Sequence, residues 1–272
     1  MATIDACAAH FAFTATPFTK AIPANKLFER SAHCEAVARI HYCINQAALG
    51  VIVGDTGAGK TVALRAATVG LDRTKHTLVY LSNPSGGCRG LYVAIATALG
   101  ATPRFHKAEA INQAAALLAV EEHERHRRVI FVIDEAHLLS PEQLEEIRLL
   151  SNAELDSASP FAAILIGQPA LAARLRQGIF ASLDSRVSVR YHIAGMDLAE
   201  SIAYLRHHLA HAGRSDPLIA DDAAARLHRY ANGMPRALNN AATAALIAAA
   251  ADSKTLVDDT CAKKAIAELT RT

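Results

Sequence analysis

The chain has 272 residues, 51% of them apolar, enough for one domain of about 150 to 200 residues with a smaller satellite and too few for two motor domains in tandem. Its 28 basic and 26 acidic side chains leave a net charge of +2, so no global field drives it onto nucleic acid or acidic lipid, and any DNA affinity has to come from a local patch. Five cysteines without a CxxC pair, an N-terminus without a basic segment and apolar run, and a longest apolar stretch far below the roughly 20 residues of a membrane span predict a cytoplasmic protein with no membrane contact.

Along the chain, apolar runs rich in Val, Ile and Leu recur at residues 50–53, 77–81, 129–133, 162–166 and 187–193. The first four do not alternate, which is the pattern of strands covered on both faces, so they predict a parallel sheet between helical layers. Helical patterns fall between them at residues 59–70, 90–99 and 141–151, the last behind Ser140 as N-cap with Pro141 in its first turn. After Ile193 only helices are expected. Leu198, Ile202, Leu205 and Leu209 mark one apolar stripe, and further helices start near Asp221, Met234 and Asp258. His207, His208 and His211 fall on the expected polar face of the first of these helices and read as exposed. The expected division is an N-terminal segment and helix packed on the core (1–46), an α/β ATPase domain (47–194) and a helical lid (195–272).

Directly after the first strand, Gly54-Asp55-Thr56-Gly57-Ala58-Gly59-Lys60-Thr61 fits G-x-x-x-x-G-K-[ST] and opens a helical pattern. Glycines at these positions let successive amides turn inward on phosphate oxygens, with the helix N-terminus adding positive charge. Lys60 is then expected on the β- and γ-phosphates of ATP and the Thr61 hydroxyl on Mg²⁺. The third strand ends in Asp134-Glu135. Asp134 suits the Mg²⁺ shell, through water, and Glu135 suits polarisation of the attacking water. Asp134-Glu-Ala-His137 also spells the box of DEAH helicases, but those need two motor lobes, so His137 is expected to be a structural or sensing residue.

The succession of Phe18 after Thr-Ala-Thr-Pro, Leu27-Phe28, the helix of residues 31–46, GDTGAGKT, VIDEAH, Ile166-Gly167-Gln168-Pro169, Leu183-Asp-Ser-Arg186 with Arg190-Tyr191-His192, and Asn232-Gly-Met-Pro-Arg236 resembles the ExeA-like AAA+ ATPases, in that order and over nearly the whole chain. That family includes secretion-pathway ATPases and transposition helpers similar to the TnsC, TniB and MuB types. The resemblance implies a three-layer αβα P-loop sandwich with a five-stranded parallel sheet and a small helical lid. It implies that Gln168 senses the γ-phosphate, that Arg186, with Arg190 as rival, is an arginine finger reaching a neighbour's ATP, and that Arg236 clamps nucleotide from the lid. It also implies self-assembly into a ring or filament, and Pro17, Phe18 and Phe28 either near the adenine or as a plain apolar anchor.

In such an assembly Arg89, Arg104 and Lys107 would lie near the central channel and track DNA phosphates, with no aromatic interleaved to stack on bases. The function expected on this basis is an ATP-dependent regulator that assembles on duplex DNA and assists a transposase, hydrolysis releasing it. A secretion-pathway assembly factor is the alternative, disfavoured in the sequence reading because no membrane span follows Arg236, and a helicase-loader-like ATPase is a third reading.

Overall fold

The computed structural model describes residues 4–19, 22, 26–152 and 159–270. The chain divides into two compact units, one of Ser31–Gly54 with Lys60–Ile193, the other of Met1–Arg30, Asp55–Gly59 and Ala194–Thr272.

The first unit is built on a five-stranded sheet in the order β2-β3-β4-β1-β5, from β1 (Leu49–Gly54), β2 (His76–Leu81), β3 (Arg128–Ile133), β4 (Phe161–Gly167) and β5 (Val187–Ile193). All neighbouring strands run parallel. β1 and β4 are buried at every residue, as their unbroken apolar sequences require, whereas the edge strands β2 and β5 are partly exposed along most of their length. Helices α2 (Ser31–Asn45), α3 (Lys60–Val69), α4 (Gly87–Ala98), α5 (Lys107–Ala119), α6 (Pro141–Leu150), α7 (Pro169–Leu175) and α8 (Ala181–Asp184) complete the three-layer αβα sandwich of a P-loop fold. The α6 start is specified as expected. Ser140 Oγ accepts the Gln143 amide at 3.2 Å while Gln143 Oε1 accepts the Ser140 amide at 2.9 Å. Sequence patterning did not show α5, because its buried face is made of Ala110, Ala114 and Leu118, too small a stripe to stand out.

The second unit gathers α1 (Ile4–His10), α9 (Leu198–His211), α10 (Asp221–Ala231), α11 (Pro235–Ala251) and α12 (Asp259–Leu269). Its core joins Leu205, Leu209, Leu227, Leu238 and Leu246 to Cys7, Phe11 and Phe18. Gly195 and Gly233 bring two chain segments together. A Cβ on Gly195 would stand 2.7 Å from the Asn232 carbonyl oxygen, and one on Gly233, which has φ +69°, would stand 2.1 Å from that of Met196.

The N-terminal segment contributes to both units, Phe11 and Phe18 being buried among the helices of the second and α2 burying Ala36, Ile40, Cys43 and Ile44 in the first. One expectation is corrected here. His208 is not exposed. It lies one turn from Leu205 on the buried face of α9, stacked on Phe18 at 5.5 Å. No described helix is long and apolar enough to cross a membrane.

Candidate nucleotide-binding site

In the sheet unit, β1 delivers Gly54 and α3 begins at Lys60, the two ends of the phosphate loop. Lys60 is buried, and its Nζ donates to the Gly54 carbonyl at 2.8 Å. β3 ends beside them and presents Asp134, also buried. Asp134 Oδ2 accepts the Thr61 hydroxyl at 3.3 Å and the Tyr80 hydroxyl at 3.0 Å, and Oδ1 accepts the Glu135 amide at 2.9 Å. Sequence reasoning missed Tyr80. It follows from register: β2 lies alongside β3 with Tyr80 paired to Val132, so a polar group near the end of β2 reaches the carboxylate that closes β3. Burial, then the hydrogen bond to Asp134, pushes the Tyr80 phenol up to about 12, so it remains a donor to the carboxylate across the physiological range.

Glu135 takes a left-handed backbone, φ +52°, and its half-exposed carboxylate lies 3.4 Å from His137 Nδ1. The same Nδ1 accepts the Gln168 amide, also at 3.4 Å. One ring nitrogen serves either contact but not both at once, because accepting needs a bare lone pair and donating needs a proton. The His137 segment is held firmly. A Cβ on Gly167 would meet the His137 amide nitrogen at 3.0 Å, and Arg174 Nη1 donates to the Leu139 carbonyl at 2.5 Å. Gln168 itself is the N-cap residue of α7, with no side-chain cap bond, and follows Gly167, which pairs with Val53 of β1.

Arg186 and Arg190 part company. Arg190 grips Asp184 of its own chain twice, through Nη1 to Oδ1 at 2.8 Å and Nη2 to the main-chain oxygen at 2.7 Å. Arg186, partly exposed, donates to Asn152 Oδ1 at 3.0 Å. Two of the three cations expected to meet DNA also make bonds within the chain. Arg89 donates to the carbonyls of Phe105 and Arg104 at 2.9 and 3.0 Å, and Lys107 pairs with Glu146. Arg104 is exposed.

In the helical unit, the loop residues Asp55–Gly59 lie with Arg236, which follows Pro235 in the first turn of α11. Gly57 has φ +84° and Gly59 φ +98°, and a Cβ on Gly57 would come within 2.6 Å of the Arg236 Cβ. Only glycine satisfies both demands at position 57. The Arg236 amide donates to the Gly57 carbonyl at 3.4 Å, and the Ala58 amide donates to that of Asp55 at 3.1 Å. Arg30, also unnoticed in the sequence, is 5% exposed. Its Nη2 donates to the Ala194 carbonyl at 2.6 Å, while Nε and Nη1 are sealed from solvent with no partner among the described residues. Buried donors left in this state call for an acceptor.

These residues fit a magnesium nucleotide. A hydroxyl and a buried carboxylate are hard oxygen donors of the kind Mg²⁺ takes in small number, leaving its other positions to phosphate and water. The described residues hold no cluster of three or more His, Cys, Asp or Glu that would bind an ion by protein alone. Thr56 completes the loop sequence.

Comparison with known proteins agrees with this geometry. Residues 44–175 match the family model described as AAA domain. The chain is 32% identical over 247 residues to the general secretion pathway protein A of Aeromonas hydrophila, covering 88% of this chain and 44% of that protein, so it spans less than half of that relative's length. Among solved structures, the Aeropyrum pernix ORC2 protein in its ADPNP-ADP complexes superposes with a TM-score of 0.64 at 16% identity, covering 92% of this chain and 71% of that one. The Aeropyrum pernix ORC1 protein in complex with DNA superposes with a TM-score of 0.65 at 15% identity, covering 92% and 68%. Sheet order, phosphate loop and family match converge: the chain has the AAA P-loop fold, and residues 44–175 of it match the AAA domain.

Proposed function

We propose that this protein is an ATP-driven switch that assembles head to tail on duplex DNA and assists a transposase, with hydrolysis driving its release. The observation that carries the ATP-dependent part is the Thr61 hydroxyl on the buried Asp134 carboxylate, with Glu135 one residue beyond and Lys60 at the start of the same helix. In this reading Lys60 exchanges the Gly54 carbonyl for the β- and γ-phosphates, and Gly54 to Thr61 supply the amide cradle. Thr61 and, through water, Asp134 hold Mg²⁺, which when bound draws charge from the phosphate oxygens. Glu135 polarises the attacking water, Gln168 reports the γ-phosphate and Arg236 clamps the nucleotide. Arg186 reaches the ATP of the neighbouring copy, and the double grip of Arg190 on Asp184 favours Arg186 for that role. Catalysis then requires assembly, through heterologous contacts that form a ring or a filament. The protein works in the cytoplasm.

The DNA part is supported by the likeness in fold to ORC proteins, one of them solved in complex with DNA. A second reading, an ATPase of a secretion pathway, is favoured by the 32% identity to general secretion pathway protein A. ATP hydrolysis measured with and without duplex DNA across a salt series separates the two. Stimulation by duplex that fades with salt and is absent in Lys60→Ala supports the DNA switch. Hydrolysis indifferent to DNA at low salt refutes it in favour of the secretion reading.

A further inference from the structure

Residues 101–106, between α4 and α5, hold an aromatic ring out in solvent and are built to keep it there. Phe105 is 79% exposed, the most exposed large apolar side chain among the described residues. Its loop is braced from two sides. Gln113 of α5 accepts the Arg104 amide through Oε1 at 3.0 Å and donates to the Thr102 carbonyl through Nε2 at 2.9 Å. Arg89 of α4 donates to the carbonyls of both Phe105 and Arg104, and its guanidinium lies 5.7 Å from the Phe105 ring centroid. The His106 ring stands edge-on to Phe105 at 5.2 Å. An unbraced loop would fold such a ring back onto apolar surface. Here side-chain bonds to four backbone groups and stacking on a cation prevent it.

The surroundings name the partner. Arg89, Arg104 and Lys107 flank the ring, against Glu146, which is held by Lys107 and by the Tyr92 hydroxyl, and Glu109 in the first turn of α5. Arg104 is the exposed cation adjacent to Phe105. An aromatic face next to a cation suits a base step beside its phosphate. The expectation that no aromatic interleaves the basic residues is therefore corrected by Phe105 itself.

We propose that Phe105 is a duplex-DNA contact, a wedge that unstacks a base step while Arg104 takes the neighbouring phosphate and Arg89 fixes the loop. This rests on the DNA-binding reading above. A ring neutralises no phosphate, so its contribution is insensitive to salt, whereas that of Arg104 is not.

The test is binding of the full chain, with a non-hydrolysable ATP analogue, to a duplex carrying 2-aminopurine, across a salt series. Phe105→Ala is expected to weaken binding about tenfold with an unchanged salt slope, and to abolish the rise in 2-aminopurine fluorescence seen with wild type. Phe105→Tyr should restore both, and Arg104→Ala should lower the salt slope by about 1. ATP hydrolysis without DNA should be the same in Phe105→Ala and Phe105→Tyr as in wild type. Wild-type affinity and fluorescence in Phe105→Ala overturn the proposal while leaving DNA binding intact. Failure of the wild type itself to bind duplex overturns the parent reading too. Loss of self-association by Phe105→Ala without DNA makes the ring a contact between copies and overturns the proposal.

Discussion

Acidification should loosen the helical unit through one buried histidine. His208 is 5% exposed, stacked on Phe18 and tilted against Tyr204 at 4.3 Å, with its Nδ1 sealed from solvent and unpartnered among the described residues. Burial above all, with smaller contributions from His207 and His211, pulls its pKa from 6.5 down to about 4. As the pH falls the unfolded chain takes up the proton first, so stability that is complete above pH 6.5 drains away until the folded ring itself titrates near 4. At about 1.36 kcal/mol per pKa unit, the gap sets a ceiling of about 3 kcal/mol, of which about 2 kcal/mol is gone by pH 5. The assay is urea unfolding followed by circular dichroism at pH 7.5 and pH 5, for wild type and His208→Phe. Phenylalanine keeps a ring against Phe18 and Tyr204 but cannot take a proton. The wild type should lose about 2 kcal/mol more than the variant between the two pH values. An equal loss in both proteins would refute the reasoning, because the pH dependence would then belong to other groups.

Three further outcomes are expected. Mixing Arg186→Ala chains with Lys60→Ala chains, each inactive alone, should recover about a quarter of wild-type hydrolysis, since that share of head-to-tail interfaces pairs an intact phosphate loop with an intact Arg186; no recovery would place the arginine in cis or outside the site. Gly57→Ala should lose about tenfold or more in affinity for a fluorescent ATP analogue, through a strained φ and the 2.6 Å approach to Arg236, and unchanged binding would show that the loop relaxes freely. His137→Asn, which puts an amide where Nδ1 stands, should retain most of the turnover number, whereas His137→Gln should lose about tenfold or more of it with little change in KM for ATP; equal behaviour of the two would mean that Nδ1 has no part in holding Glu135.

Much of this molecule is legible in the chain itself. The unbroken apolar runs of β1 and β4 announce strands buried on both faces, and the Ser140-Pro141 start of α6 is written in its capping residues. GDTGAGKT and the acids closing β3 announce a nucleotide site, because a phosphate loop needs glycine dihedrals and a terminal Lys-Thr whatever surrounds it. These are local properties, set by backbone sterics, side-chain period and capping within a few residues. α5 escaped because alanine buries too little surface to mark a face, and His208 was misjudged because an amphipathic stripe has soft edges that only packing against Phe18 resolves.

What the tertiary structure alone decided are the meetings between distant residues. Tyr80 reaches Asp134 through the register of β2 on β3, and Arg190 is spoken for by Asp184. His137 Nδ1 stands where it can meet either Glu135 or the Gln168 amide at the end of β4, and Arg89 is the brace that holds Phe105 in solvent. None of these has a signature in spacing, because hydrogen bonds and charge pairs act over about 3 to 4 Å in space and are indifferent to separation along the chain. The sequence alone determined which elements form and which residues can do the chemistry; the packing of those elements decided which of them face one another.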